Sequence, residues 1–247
     1  MKIIGTTTSR AGRTRLRTVI GLIAAVVMTL GLVAPGSAGA TGGGQSGGVS
    51  ANPVLGALSA QWWQWRISIP QPPTGENSAA DCDKTQTGSI FFLSGSTGSG
   101  AVKRDCTVPY GRSLFFPLIN AANIKTEDGE TAEDLWYQLH SLNNWKVLSV
   151  TASLDRVPLP GLSAKTGLYR GCAGPERGCY PESFPVVAPA GNIFGVTAGV
   201  HDPSIADGYY ALIPSLPRGV HTIKFTANAR YGTGTFGQDV TYKLTIR

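Results

Sequence analysis

Residues 199–210, Gly-Val-His-Asp-Pro-Ser-Ile-Ala-Asp-Gly-Tyr-Tyr, gather a histidine, two aspartates and two tyrosines into one short stretch. His201, Asp202 and Asp207 offer the nitrogen and carboxylate groups used in acid–base chemistry or to hold a divalent ion. Tyr209 and Tyr210 offer flat faces on which a sugar or another planar ligand stacks. The stretch is expected to be a loop between strands, and loops on a rigid scaffold commonly carry binding residues. The plainer alternative is an Asp-Gly turn feeding a strand that buries one of the tyrosines. On the ligand reading, replacing His201 and Asp207 together by alanine leaves the fold intact and removes binding. Trp63 is the remaining candidate ligand contact. Its neighbours Trp62 and Trp65 share a helical face with Leu58 and belong to the core, whereas Trp63 points elsewhere.

Catalytic constellations find little support. A serine hydrolase needs a nucleophile, a histidine base and an orienting acid. The Gly/Ser stretch 95–100 contains no Gly-x-Ser-x-Gly elbow and reads as a turn. A secreted hydrolase centred on His201, Asp202 and Asp207 stays open as an alternative function, and no catalytic residue is assigned. The acidic run Glu127, Asp128, Glu130, Glu133 and Asp134 supplies hard oxygen ligands suited to Ca²⁺. It lacks the alternating spacing of an EF-hand loop, and favourable charge at a helix start accounts for Glu133 and Asp134 without an ion. No cofactor and no metal ligand is assigned.

The elements that must position these groups are mostly strands. Asn52-Pro53 starts a helix running to about Ile67, with Asn as cap and Pro at the first helical position. Thr131 caps a second helix that presents Leu135, Trp136, Leu139 and Leu142 on its apolar side. Residues 89–93 and 101–108 flank the Gly/Ser stretch as an expected hairpin. Leu114–Ile119 is continuously apolar around Pro117 and is expected to be buried on both faces, with a bulge or edge at the proline. Leu148, Val150, Ala152 and Leu154 alternate with polar residues, as do Ile223 and Phe225, and Val240, Tyr242, Leu244 and Ile246. Such alternation marks strands with one buried and one wet face, typical of antiparallel sheets. The expected fold is mainly β: an antiparallel β-sandwich, immunoglobulin-like or jelly-roll in type, with two short accessory helices.

The N-terminus sets the compartment. Lys2, Arg10, Arg13, Arg15 and Arg17 precede an apolar run from Val19 to Val33, and Ala38-Gly39-Ala40 supplies a small-residue cleavage site. Residues 1–40 therefore read as a signal peptide, 41–51 as a flexible Gly/Ser linker and 52–247 as one domain. The apolar run is shorter than the roughly 20 residues that span a bilayer, so no stable membrane anchor is expected after cleavage. The whole chain carries 21 Lys+Arg against 15 Asp+Glu. Five of the bases and none of the acids lie in residues 1–40, which leaves the rest nearly neutral and argues against a nucleic-acid partner. In an exported chain four cysteines read as disulfides, with Cys82–Cys106 and Cys172–Cys179 the favoured pairing. Only three histidines and no Cys-x-x-Cys pair are present, which disfavours zinc.

Several stretches carry a resemblance. They are Trp62–Pro70, Gln86–Gly95, Cys106–Asn120, Ala206–Tyr210 and Pro217–Phe225. Together they resemble a family of secreted bacterial proteins to which no activity is attached. The resemblance implies an exported, single-domain, β-rich protein and carries over no cofactor or catalytic residue. The final hairpin also resembles that of immunoglobulin-like modules. The leading expectation is a secreted, disulfide-stabilised protein that binds an extracellular ligand, such as an environmental or envelope polysaccharide. The alternatives are the hydrolase above and a structural or adhesive component of the cell envelope.

Overall fold

The structure is a computed structural model that describes residues 50–69, 82, 86–98 and 100–247. The residues read as a signal peptide and nearly all of the expected linker lie outside the described residues. All described residues fall within one unit, Gln45–Arg247.

Helix α1 spans Pro53–Ser68 and starts where the sequence signals. The Asn52 side chain accepts from the Val54 and Leu55 backbone N–H groups at 3.0 and 3.4 Å, satisfying two of the donors a helix start leaves free. Helix α2, Ala132–Tyr137, opens with a capping box: Thr131 accepts from the Asp134 N–H, and Asp134 accepts from the Thr131 N–H. A π-helical turn, Gln138–Leu142, continues it. Leu135 and Leu139 are buried as expected, but Leu142 is exposed.

Strands β1 (Ile90–Phe92), β3 (Ser113–Ile124), β6 (Arg170–Ala173), β7 (Phe184–Ala188) and β8 (Gly199–Ile213) form one sheet, here sheet A. Strands β2 (Ala101–Val108), β10 (Gly234–Ile246), β9 (Gly219–Tyr231), β4 (Lys146–Leu154) and β5 (Val157–Pro158), in that order, form sheet B. The protein is mainly β, with two mixed sheets. The expectation of purely antiparallel sheets is corrected, since β1 pairs with β3 and β2 pairs with β10 in parallel. The expected hairpin of residues 89–108 is corrected for the same reason. Its two strands lie in different sheets, and the Gly/Ser stretch crosses between them. Arg104 holds that crossing in place by donating to the Ser94 and Gly95 carbonyls and to the Tyr242 hydroxyl.

One apolar cluster lies between the sheets and draws on Leu114, Phe116 and Leu118 of β3 with Ile223, Phe225, Val240, Tyr242 and Leu244 of sheet B. A second lies on the other face of sheet A. There Phe115, Ala206, Tyr210, Phe184 and Val186 pack against Trp62, Trp63 and Trp65 of α1. These layers explain two sequence patterns. Sheet A is covered on both faces, so β3 and β8 are buried almost continuously over Leu114–Ile119 and Ser204–Ala211. Among the described residues sheet B is covered on one face only, so β2, β9 and β10 alternate strictly over most of their length. Pro117 lacks an N–H, and the β3–β8 register shifts beside it, between Pro117 and Ile119. A second shift, between Val147 and Ser149, takes Leu148 out of the expected alternation and exposes it.

The helix rides close on sheet A. A Cβ on Gly56 would collide with the carbonyl oxygens of Cys172 and Tyr180, and one on Gly171 would collide with Leu55. Gly56→Ala should therefore destabilise the protein by about 1–3 kcal/mol, the usual cost of overpacking. Alanine's helix propensity favours it by only about 1 kcal/mol, and backbone carbonyls cannot swing aside as a flexible side chain does. An unchanged denaturant midpoint would show that α1 can lift from β6 at no cost.

Both disulfides form as the spacing indicates. Cys82–Cys106 does not close a hairpin. It ties the segment before β1 of sheet A to β2 of sheet B.

Candidate functional site

Residues 199–210 are not a loop. They lie in β8, the long strand at the middle of sheet A, and this corrects the expectation from their Gly, Asp and Pro content. Asp207-Gly208 makes no turn. Gly208 pairs with Asn120 on one side and Gly171 on the other, and a Cβ there would strike Ile119 and Asn120. Strand alternation then sends the candidate side chains to opposite faces. Tyr209 joins the cluster between the sheets and donates from its hydroxyl to the Ala164 carbonyl at 2.9 Å. Tyr210 lies under α1, fully buried, with its ring stacked on Phe115 at 5.3 Å. Burial pushes its phenol upward. Trp63 is 7% exposed and packs beside Trp62 and Phe194, so it offers no open platform. Its side of the helix is covered because α1 lies against sheet A with the turn carrying Phe194 alongside.

His201 and Asp202 sit near the start of β8. Both His201 ring nitrogens face backbone carbonyls, Lys125 O at 2.6 Å and Thr197 O at 2.9 Å. Asp202 is exposed. The six candidate ligand residues therefore do not converge on one surface.

Asp207 is instead the centre of a charged cluster. Its carboxylate accepts from Arg170 Nε at 3.0 Å and Nη2 at 3.2 Å, and it meets His140 Nε2 at 3.0 Å. Arg170 in turn donates from Nη1 and Nη2 to Glu176, both at 3.0 Å. The other nitrogen of His140 faces the Trp136 carbonyl at 3.2 Å, and its ring stacks on Trp136 at 4.0 Å. Burial alone would raise the Asp207 carboxyl. The His140 hydrogen bond and the Arg170 guanidinium overcome that and hold it below the usual carboxylate range. Arg170 stays charged for the matching reason: burial works against it, and Asp207 and Glu176 outweigh burial.

Four elements thus meet at Asp207: β8 carries it, β6 carries Arg170, the π-turn carries His140 and the small disulfide loop carries Glu176. Arg170, Glu176 and His140 are not among the candidate residues that the sequence offers. Their separations from Asp207 follow no helical or strand period. The one local signal is that Arg170 and Glu176 flank Cys172 of the Cys172–Cys179 loop.

This cluster is built to hold: Arg170 is engaged by Asp207 and Glu176, and Asp207 by Arg170 and His140. Among the described residues no group of three or more His, Cys, Asp or Glu is arranged to hold a metal ion. In the acidic run considered for Ca²⁺, Glu130 accepts from the Thr126 and Glu127 N–H groups, and Asp134 serves the capping box.

The third histidine forms a smaller ion pair. His221 Nδ1 meets Asp155 Oδ2 at 2.7 Å and Nε2 meets the Pro217 carbonyl at 3.0 Å, while Asp155 also accepts from the Thr222 N–H. The Asp155 hydrogen bond raises the His221 imidazole and lowers the Asp155 carboxyl. A raised histidine contributes stability that is complete below its unfolded value, about 6.5, and disappears as pH climbs through the raised folded value. The melting temperature should therefore fall as pH rises from about 6 through that value, and His221→Gln should flatten this part of the profile. A variant profile parallel to the parent's would contradict the assignment.

Two open surfaces stand out among the described residues. A shallow groove of 530 Å³ beside α1 is lined by Pro53, Val54, Ala57, Leu58, Ile90, Tyr180 and Leu212, with no charged residue. The outer face of sheet B is wet and carries Thr107, Ser149, Thr151, Thr222, Thr226, Asn228, Thr241 and Thr245. Among the described residues no helix is long and apolar enough to cross a membrane. No protein-family model matches the chain, and no curated protein matches it.

Proposed function

We propose that the protein is exported and acts outside the cytoplasm as a β-sandwich that binds an extracellular polysaccharide without altering it. Two disulfides and a signal-like N-terminus support export, as does the resemblance to secreted bacterial proteins. The two sheets stack through a shared apolar cluster, which supports a sandwich. The parallel pair in each sheet gives no support to the immunoglobulin-like or jelly-roll readings.

The observation that carries the binding function is the outer face of sheet B. It is a sheet surface whose hydroxyl and amide groups repeat about every 5 Å across strands and about 7 Å along them. Such a surface matches a polymer that presents many hydroxyls and needs no cleft. The hydrolase reading loses its support because His201 is engaged by carbonyls and Asp207 by Arg170 and His140. A structural or adhesive envelope role is the second reading, favoured by the groove beside α1 with its exposed Val54 and Tyr180. Affinity electrophoresis of the protein lacking residues 1–40, through gels containing single polysaccharides, tests the proposal. Retardation by at least one polymer is expected. Migration unchanged by every polymer, together with recovery of the protein in a washed envelope fraction, would favour the second reading.

A further inference from the structure

We infer that the partner is an acidic polysaccharide and that it lies across the outer face of sheet B, seated on Lys103, Lys224 and Lys243. This rests on the binding function proposed above and names its surface and ligand class.

The strand register places the three lysines. Thr241 of β10 is flanked by Lys103 of β2 on one side and by Lys224 of β9 on the other. Lys243 is two residues along β10, on the same face and diagonal to both. With strands about 4.8 Å apart and same-face residues about 7 Å apart, the three α-carbons form a triangle with sides of about 8–10 Å around the Thr241 hydroxyl. All three lysines are exposed. Lys146 and Arg230 pair across β4 and β9 and extend the positive strip towards one end of the sheet.

Asp105, beside Lys243, and Asp239, beside Thr226, are the carboxylates within the strands of this face, and Asp155, in the turn after β4, bonds Thr222 at its margin and is paired with His221. Five cations thus stand against three anions, one of them already paired, on one surface of a domain that is otherwise nearly neutral. The acidic run Glu127, Asp128, Glu130, Glu133 and Asp134 belongs to neither sheet and lies in the segment after β3 and the first turn of α2. A surface of ammonium groups spaced among hydroxyls is complementary to a chain of carboxylated or sulfated sugars. The ammoniums meet the charges while the Thr and Asn side chains meet the sugar hydroxyls. The face presents no helix or ribbon that could enter a nucleic-acid groove, which favours a glycan over a duplex of similar charge.

The probes are polygalacturonate, neutral dextran and duplex DNA, each tested against the chain lacking residues 1–40. Polygalacturonate should retard the protein, and added salt should weaken the effect because these charges are exposed. Lys103→Glu with Lys224→Glu and Lys243→Glu should weaken retention by at least about tenfold, while Lys165→Glu, an exposed change elsewhere, should not. If the triple glutamate variant folds poorly, the triple glutamine variant provides the same comparison with a smaller expected loss. Retention by dextran alone, by DNA but not polygalacturonate, or undiminished in the lysine variants would overturn this inference. The first and last of these results would leave the binding function standing, and failure to bind any polysaccharide would remove both.

Discussion

Asp207→Ala should lower the stability of the folded protein by about 3–5 kcal/mol, the cost of removing one partner from a buried ion pair. The substitution removes the buried carboxylate from beside Arg170, which is 8% exposed, and deprives His140 Nε2 of its acceptor. Glu176 still faces Arg170, but it belongs to a partly exposed loop and replaces only part of the lost field. Asp207→Asn should cost less, because the amide keeps the shape and one acceptor while losing the charge. This reverses the expectation that His201 and Asp207 can be replaced together without harm to the fold. Asp207 is a keystone of sheet A, whereas the His201 ring faces two backbone carbonyls at its margin. Urea unfolding of the single variants separates them. A loss below about 1 kcal/mol for Asp207→Ala is the range of an exposed pair and would contradict the buried cluster. The same carboxylate sets an acid limit. Its folded value lies below its unfolded value of about 3.9, so its contribution is complete above that pH and disappears as pH falls through the depressed folded value.

Loss of the Cys82–Cys106 bond should be nearly as costly. The bond joins positions 24 residues apart, and closing a loop of that length restricts the unfolded chain by about 3.5 kcal/mol. Cys172–Cys179 spans 7 residues, for which the same relation yields about 2.5 kcal/mol. The longer bridge also links the approach to sheet A with sheet B, and both its sulfurs are buried in the cluster between the sheets. Dithiothreitol should therefore lower the melting temperature by many degrees. Cys82→Ala with Cys106→Ala should account for more of that fall than Cys172→Ala with Cys179→Ala. An unchanged melt after complete reduction, with four titratable thiols shown in the reduced protein, would sink the claim.

The legible parts of the fold were those with local causes. Asn52-Pro53 and Thr131 to Asp134 announce their helices because a cap acts within three residues. Strands β9 and β10 announce themselves by alternation because one face of sheet B is wet. Strand β8 could not be read in this way. Its Asp-Pro and Asp-Gly pairs look like turns, and the burial that keeps it extended is supplied by α1 on one side and sheet B on the other. The pairing of β1 with β3 and of β2 with β10 leaves no local trace either, since the crossing stretch 94–100 looks like a hairpin turn.

The candidate site divides along the same line. His201, Asp202, Asp207, Tyr209 and Tyr210 attracted notice by proximity in sequence, which in a strand sends neighbours to opposite faces. Arg170, Glu176 and His140, which engage Asp207, lie on other elements. The lysine triangle likewise depends on register between β2, β10 and β9 and is invisible until those strands are aligned.

The central claim is that this scaffold binds an extracellular polysaccharide and does no chemistry on it. The direct test is to incubate the protein lacking residues 1–40 with polygalacturonate and to follow polymer retention and polymer chain length in the same samples over time. The account predicts retained polymer of unchanged length, with no new reducing ends. Progressive shortening of the retained chains, or no retention of this polymer or any other, would contradict it.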